Sequence, residues 1–385
     1  MTVYLDCNAT TPIDPRVADC VMHYMTEEFG NAGSRTHDFG LRAKRAVQHA
    51  REQVASVVDA SPDEVVFTSG ATESNNLAIF GLAANGEETG RRHIVSTQIE
   101  HKAVLEPVAV LEKQGFEVTL VPPTSGGWVE PESIRQAVRS DTLFVSVMHV
   151  NNETGVIQPI AETAELLAGH DAFLHVDAAQ GFGKELAPLR DPRIDLISIS
   201  GHKVFGPKGV GALVARRRGF SRLPLTPLFY GGGQERGLRP GTLPVPLIAG
   251  IGLAAELAAT ESDERKDECL KYRDAVLEGL APLRPTPNGD QSRVLSHVLN
   301  LSLEGLDSEA VMVALKGLVA ISNGSACTSQ SYEPSHVLKA MNLDDLAVAG
   351  ALRLSWSHMS DVPNWREVVD RIESLRPSAP LRATR

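Results

Sequence analysis

Short apolar runs alternate with helical stretches through the first two thirds of this chain, and that rhythm constrains its fold more than any other feature. Strand-length runs at 65–67, 93–96, 117–121, 143–148, 173–176, 196–200 and 211–214 are separated by helical patterns at 40–58, 74–84, 102–113 and 131–138. A strand that returns parallel to its neighbour needs a long crossover, usually a helix. The alternation therefore predicts an α/β fold with a mostly parallel seven-stranded sheet flanked by helices. That large unit is expected over residues 14–255. A smaller α+β unit, residues 256–385 together with 1–13, is expected to follow. It carries a charged amphipathic helix at 265–280, strands at 298–302 and 351–355, helices at 308–315 and 364–375, and a Gly/Ser/Thr-rich loop at 323–331. The extended first dozen residues can pack beside either unit, and the tail 376–385 reads as loose.

At 385 residues, 42% hydrophobic and 22% charged, the chain has the composition of an ordinary globular protein large enough for two units. Lys and Arg number 37 against 48 Asp and Glu, a formal charge of −11. This argues against direct binding of nucleic acid, whose phosphates require clustered cations. The cysteines, Cys7, Cys20, Cys269 and Cys327, are too few and too scattered for a disulfide framework. None forms a C-x-x-C pair, so no metal site is expected. The start MTVYLDCNATTP lacks the basic and apolar regions of a signal peptide, and no apolar run is long enough to span a membrane. The chain reads as cytoplasmic.

Several polar residues stand where a strand ends. Ser200-Gly201-His202-Lys203 follows one apolar run, and a lysine there can serve as a Schiff-base amine when burial lowers its pKa. Asp177, in His175-Val176-Asp177-Ala178-Ala179-Gln180, follows another. It could cap a helix, or it could hold a pyridine nitrogen protonated, with Gln180 close by. Thr68-Ser69-Gly70-Ala71-Thr72-Glu73 can be a capping box or an anion cradle at a helix start. His101 can be structural, or can stack on a ring and relay protons. Asn151-Asn152 offers amide donors to a cofactor or substrate. Gly231-Gly232-Gly233-Gln234-Glu235-Arg236-Gly237 lacks the spacing of a dinucleotide fingerprint and reads as a mobile surface hairpin. Cys327 sits among small polar residues, a setting unlike that of an inert buried thiol. Arg353, inside an apolar strand, calls for an anion, and a substrate carboxylate is a natural one.

Taken in order, SGATESNN, EHKAV, HVNNETGV, HVDAAQ, SGHK, GGGQERG and GSACTS resemble the cysteine desulfurases of the pyridoxal-phosphate (PLP) fold-type I superfamily over nearly the whole chain. The stretch from Cys327 to Ser335 is similar to the longer-loop class that serves housekeeping and nitrogen fixation. The whole looks closest to the desulfurases of DNA phosphorothioate modification. The resemblance implies pyridoxal 5'-phosphate held covalently by Lys203, with Asp177 on its ring nitrogen and His101 stacked on the ring as a catalytic residue. Gln180 and Asn152 would bind cofactor or substrate. Ala71, Thr72, Ser200 and His202 would hold the phosphate, joined by Thr242 of a homodimeric partner. Arg353 would grip the carboxylate of L-cysteine. Cys327 would accept the sulfur as a persulfide, for delivery to an acceptor protein of iron–sulfur assembly, DNA modification or tRNA thiolation. Cys7, Asn323 and Ser357-His358-Met359 depart from the family's usual residues. A selenocysteine lyase or an aminotransferase on the same scaffold is the alternative function, and a non-catalytic scaffold is a more distant one.

Overall fold

The computed structural model describes residues 2–324 and 334–376. The first strand, β1 (Val3–Tyr4), lies apart from the main sheet. Seven others form that sheet: β2 (Val65–Thr68), β3 (His93–Thr97), β4 (Glu117–Val121), β5 (Thr142–Met148), β6 (Phe173–Asp177), β7 (Leu196–Ser200) and β8 (Gly211–Ala215). Their spatial order is β2-β8-β7-β6-β5-β3-β4. Neighbours from β4 to β7 are parallel, whereas β8 runs antiparallel to both β7 and β2. Every residue of β2, β3, β5, β6 and β7 is buried, as helices on both faces require. The exceptions are β8, whose last residue Ala215 is half-buried, and the edge strand β4, with one buried residue.

The expected strands and helices are all present, with ends displaced by at most a few residues. Two long helices escaped the sequence pattern, Pro15–Thr26 and Val245–Thr260. The second is apolar on nearly every side and packs against the helix Asp38–Val57, so it shows no amphipathic period. The turn from β2 into the helix Ala71–Thr89 depends on glycine twice. Gly70 has φ +154°, and a Cβ on Gly211 of β8 would stand 2.6 Å from the Gly70 Cα.

A second core lies around β9 (Thr286–Pro287), β10 (Val298–Ser302) and β12 (Ala351–Ser355), with β10 antiparallel to both neighbours. Leu299, Leu301, Leu352 and Leu354 pack there against Tyr272 and Val276 of the helix Ser262–Leu280 and Ile372 of the helix Trp365–Glu373. The N-terminal segment joins the two cores. β1 pairs in parallel with β11 (Val319–Ala320), and Ser355 N–H donates to the Leu5 carbonyl at 2.9 Å. Further on, Thr11 N–H donates to the His202 carbonyl beyond β7, also at 2.9 Å.

The glycine-rich segment 231–237 is not the free surface hairpin its composition suggests. Glu235, its side chain 1% exposed, forms two hydrogen bonds of 2.5 and 2.8 Å to Arg51 and accepts Phe67 N–H at 2.8 Å. Glu235→Ala is therefore expected to destabilise the protein by about 3–5 kcal/mol, because Arg51 is left charged and buried. Glu235→Ala combined with Arg51→Met should cost less than Glu235→Ala alone. Chemical denaturation of both variants checks this, and a double variant less stable than the single would refute it.

Candidate active site

The C-terminal ends of β5, β6 and β7 open into one cavity of about 450 Å³, the usual ligand position in a parallel sheet. β6 delivers Asp177 to its floor. One carboxylate oxygen accepts Asn75 Nδ2 at 2.7 Å and the other accepts Ala179 N–H at 2.9 Å. β7 ends at Ser200, and the turn Gly201–Lys203 carries the lysine into the same space. Lys203 Nζ donates to the carbonyls of Asn8 and Ala9, the latter at 2.9 Å.

Asn8 is the hub of the site. Its carbonyl also accepts Gln180 Nε2 at 2.9 Å, and its Nδ2 donates to the Asn152 carbonyl at 3.1 Å. On its far side, Asn8 Oδ1 meets His297 Nε2 at 3.1 Å. Gln180 Oε1 and Asn75 Oδ1 are buried without a partner.

His101 is the N-cap of the helix Lys102–Lys113. Its Nδ1 accepts Ala103 N–H at 3.0 Å, which leaves Nε2 as the nitrogen that carries the proton. Burial pushes its pKa below the usual histidine value, and Lys203 adds to this while Asp177 opposes it. Glu100 beside it is wholly buried, accepting Met148 N–H at 2.7 Å and Thr97 Oγ1 at 3.0 Å. Burial and the nearby Asp177 push its pKa well up.

The helix Ala71–Thr89 starts at the cavity wall. Its first amide groups have no acceptor inside the helix, and no side chain caps them. The expected Thr/Ser–Glu cap is formed only in part. Glu73 accepts Ser69 N–H at 2.7 Å and pairs with Arg239 at 2.9 Å, leaving the amides of Ala71 and Thr72 facing the cavity beside Ser200 and His202. Burial and the neighbouring lysines hold His202 neutral, its pKa lowered to about 4.

Arg353, on β12, is 1% exposed and also borders the cavity. Its counter-ion is not left to substrate alone, as the sequence suggested. Nη2 pairs with Asp6 at 2.6 Å and Nη1 donates to the Asn152 carbonyl at 2.8 Å, while Nε is buried without a partner.

These groups fit pyridoxal 5'-phosphate. An amine, a carboxylate, free helix amides and an orphaned Gln180 oxygen line one cavity, the chemistry that an aldehyde, a ring nitrogen, a phosphate and a ring hydroxyl call for. Ala71, Thr72, His101, Asn152, Asp177, Gln180, Ser200, His202, Lys203 and Arg353 all line it. Thr242 does not; it is exposed on the outer surface of this chain. Cys327 lies outside the described residues. Gly324 and Pro334 line a groove of about 490 Å³ that shares His101 and Asn152 with the cavity. Glu153 stands between these two positions, accepting Ser335 Oγ at 2.5 Å and lying against Gly324.

Sequence reasoning passed over Asp6, Asn8, Asn75 and Glu100. Asn75 and Glu100 stand inside motifs already singled out. Asp6 and Asn8 flank Cys7 in the N-terminal segment, and nothing local marks them as partners of residues far along the chain.

The aminotransferase class-V family model matches residues 3–364. The cysteine desulfurase IscS of Vibrio cholerae is 44% identical over 387 residues, covering 98% of this chain and 95% of that protein. Among solved structures, DndA from Streptomyces lividans superposes with a TM-score of 0.80 at 53% identity, covering 91% of this chain and 98% of its own. A NifS-like protein gives 0.87 at 37%, covering 97% and 98%.

Proposed function

This chain belongs to the class-V aminotransferase family and, within it, to the PLP-dependent cysteine desulfurases, and on that footing we propose how its residues divide the removal of sulfur from L-cysteine. The observation that carries the assignment is the convergence of Lys203 and Asp177 on one cavity with Arg353 at its rim. Bound there, pyridoxal 5'-phosphate supplies a ring that withdraws electrons from the substrate Cα and makes the neighbouring C–S bond cleavable.

Lys203 would hold the cofactor through its amine. It then takes the Cα proton, with the Asn8 and Ala9 carbonyls aiming its amine. Asp177, fixed by Asn75 and Ala179, keeps the ring nitrogen protonated. The amides of Ala71 and Thr72, with Ser200 and His202, would hold the phosphate, and Gln180 would hold the ring oxygen. Arg353 would take the substrate carboxylate beside its Asp6 pair, with Asn152 orienting the same end. His101 would stand beside the ring and move protons through Nε2.

Cys327 supplies the accepting thiolate. Its Sγ forms a bond to the substrate sulfur as the substrate C–S bond breaks. The electron pair of that bond stays on carbon, which takes a proton and leaves as L-alanine, and Cys327 keeps a persulfide. An acceptor protein then takes the sulfur, and we assign it to iron–sulfur assembly, DNA phosphorothioate modification or tRNA thiolation. Identity to DndA supports the second of these.

The working unit is a cytoplasmic homodimer. Exposed Met22, Met25, Phe29 and Tyr230 support a partner surface, and exposed Thr242 suits service at the partner's phosphate. Cys7, Cys20 and Cys269 are all free, in keeping with a reducing compartment.

Incubation of the holoenzyme with L-cysteine and a thiol reductant tests the assignment. Alanine and sulfide are expected in equal amounts without any added keto acid. A strict keto-acid requirement would transfer the reading to aminotransfer.

A further inference from the structure

A second cavity of about 350 Å³ lies behind the active site, between the segment Gly183-Lys184-Glu185, the helix Ser262–Leu280 and the residues preceding β10. Its size falls within the range of small-molecule sites. Leu270, Val294, Leu295 and Trp356 make its apolar walls; Lys184, Lys266 and Arg273 bring positive charge beside the carboxylate of Glu185, and Arg265 is paired with Asp14 and Glu261.

Two of these cations have donors that the protein leaves unused. Lys184 Nζ and Arg265 Nη1 are both buried with no hydrogen-bond partner. An ammonium without water or an acceptor is costly, and burial pushes the Lys184 amine down to about 8. Cys7 and Cys269 stand near it but give no counter-charge, because burial lifts their thiols to about 11 and about 12. Arg273 spends its donors on neutral oxygens, those of Val298 and Gln291, both at 2.6 Å. Arg265 is already paired with Glu261 at 2.8 Å and Asp14 at 3.3 Å, so the uncompensated charge beside the apolar walls is that of Lys184. A monoanion with an apolar body matches this. A dianionic phosphate would lose more hydration than the few free donors could replace.

This cavity also touches the active site. His297 lines it and meets Asn8, whose carbonyl receives Lys203, and the charges of Lys184 and Lys203 repel each other. We propose that this cavity is a second binding site, for a small carboxylate with an apolar body that pairs with Lys184, and that its occupancy alters Lys203 through Asn8 and through the field of the neutralised ammonium. The second half rests on the desulfurase reading; the binding is measured without turnover, so the two can fail separately.

Calorimetric titration of the holoenzyme with benzoate, against benzyl alcohol as a neutral body of similar shape, tests the site. Benzoate is expected to saturate a site whose Kd rises about tenfold or more in Lys184→Met, with benzyl alcohol weak in both proteins. Leu270→Trp, on the partly exposed rim, should fill the cavity without touching the amine and give the same loss. Benzoate held at Arg353 would persist in both variants, so equal affinity in all three proteins overturns the site. At saturating L-cysteine, where competition at Arg353 is suppressed, benzoate should change kcat about twofold or more in the wild type but not in Lys184→Met. A wild-type kcat indifferent to bound benzoate overturns the link to Lys203.

Discussion

Lys203→Ala is expected to abolish the visible absorption of the protein-bound cofactor and to lower L-cysteine turnover by about 10⁴-fold or more. The loss is large because one amine has two tasks, holding the cofactor and moving the Cα proton. No neighbour is placed to substitute. Lys208 lines the cavity but is exposed, and Lys184 is buried against the second cavity. The Asn8 and Ala9 carbonyls would still point at the vacant position, so the defect should be chemical rather than structural. Borohydride reduction of the wild type should fix the cofactor on Lys203 alone. An unchanged spectrum in the variant, or trapping on Lys208, would remove Lys203 from its place.

Cys327→Ser separates the two halves of the reaction. The variant should bind cofactor and L-cysteine with unchanged spectra, because none of the groups assigned to those tasks is altered. Formation of sulfane sulfur should fall by at least about 10³-fold, the scale on which loss of a nucleophile acts in other enzymes. A hydroxyl at this position ionises far less readily than a thiol and forms no bond of comparable ease to sulfur. Mass spectrometry of the protein after incubation with L-cysteine reads the result. A persulfide on Cys7, Cys20 or Cys269 in the variant would relocate the acceptor; burial of Cys7 and Cys269, with their thiols pushed to about 11 and about 12, argues against those two.

The strands were legible in the sequence because they are buried on both faces and so read as apolar runs with clear ends. The residues at those ends, Asp177, Ser200 and Lys203, were legible for the same reason, since a polar side chain just past a buried strand is conspicuous. Asn8 was not. Its meaning depends on Lys203 and His297, and a short asparagine in an extended segment signals neither. Glu235 was misread in the same way, because the glycines around it suggest exposure while its partner Arg51 stands 184 residues away. Arg353 was read half correctly. The demand for an anion was visible in the strand, but the identity of Asp6 as the resident one was not.

The placement of the first strand bears on how the enzyme is made. Leu5 and Cys7 are synthesised well before their backbone partner Ser355, and β1 pairs with Val319 and Ala320. At roughly 5–20 residues per second, the opening segment waits on the order of tens of seconds for its neighbours. A nascent chain that stalls before residue 319 has its central sheet but lacks the strand that pairs with β1 and lacks Arg353 of β12. Catalytic competence in this molecule is thus a property of the finished polypeptide, withheld from its fragments.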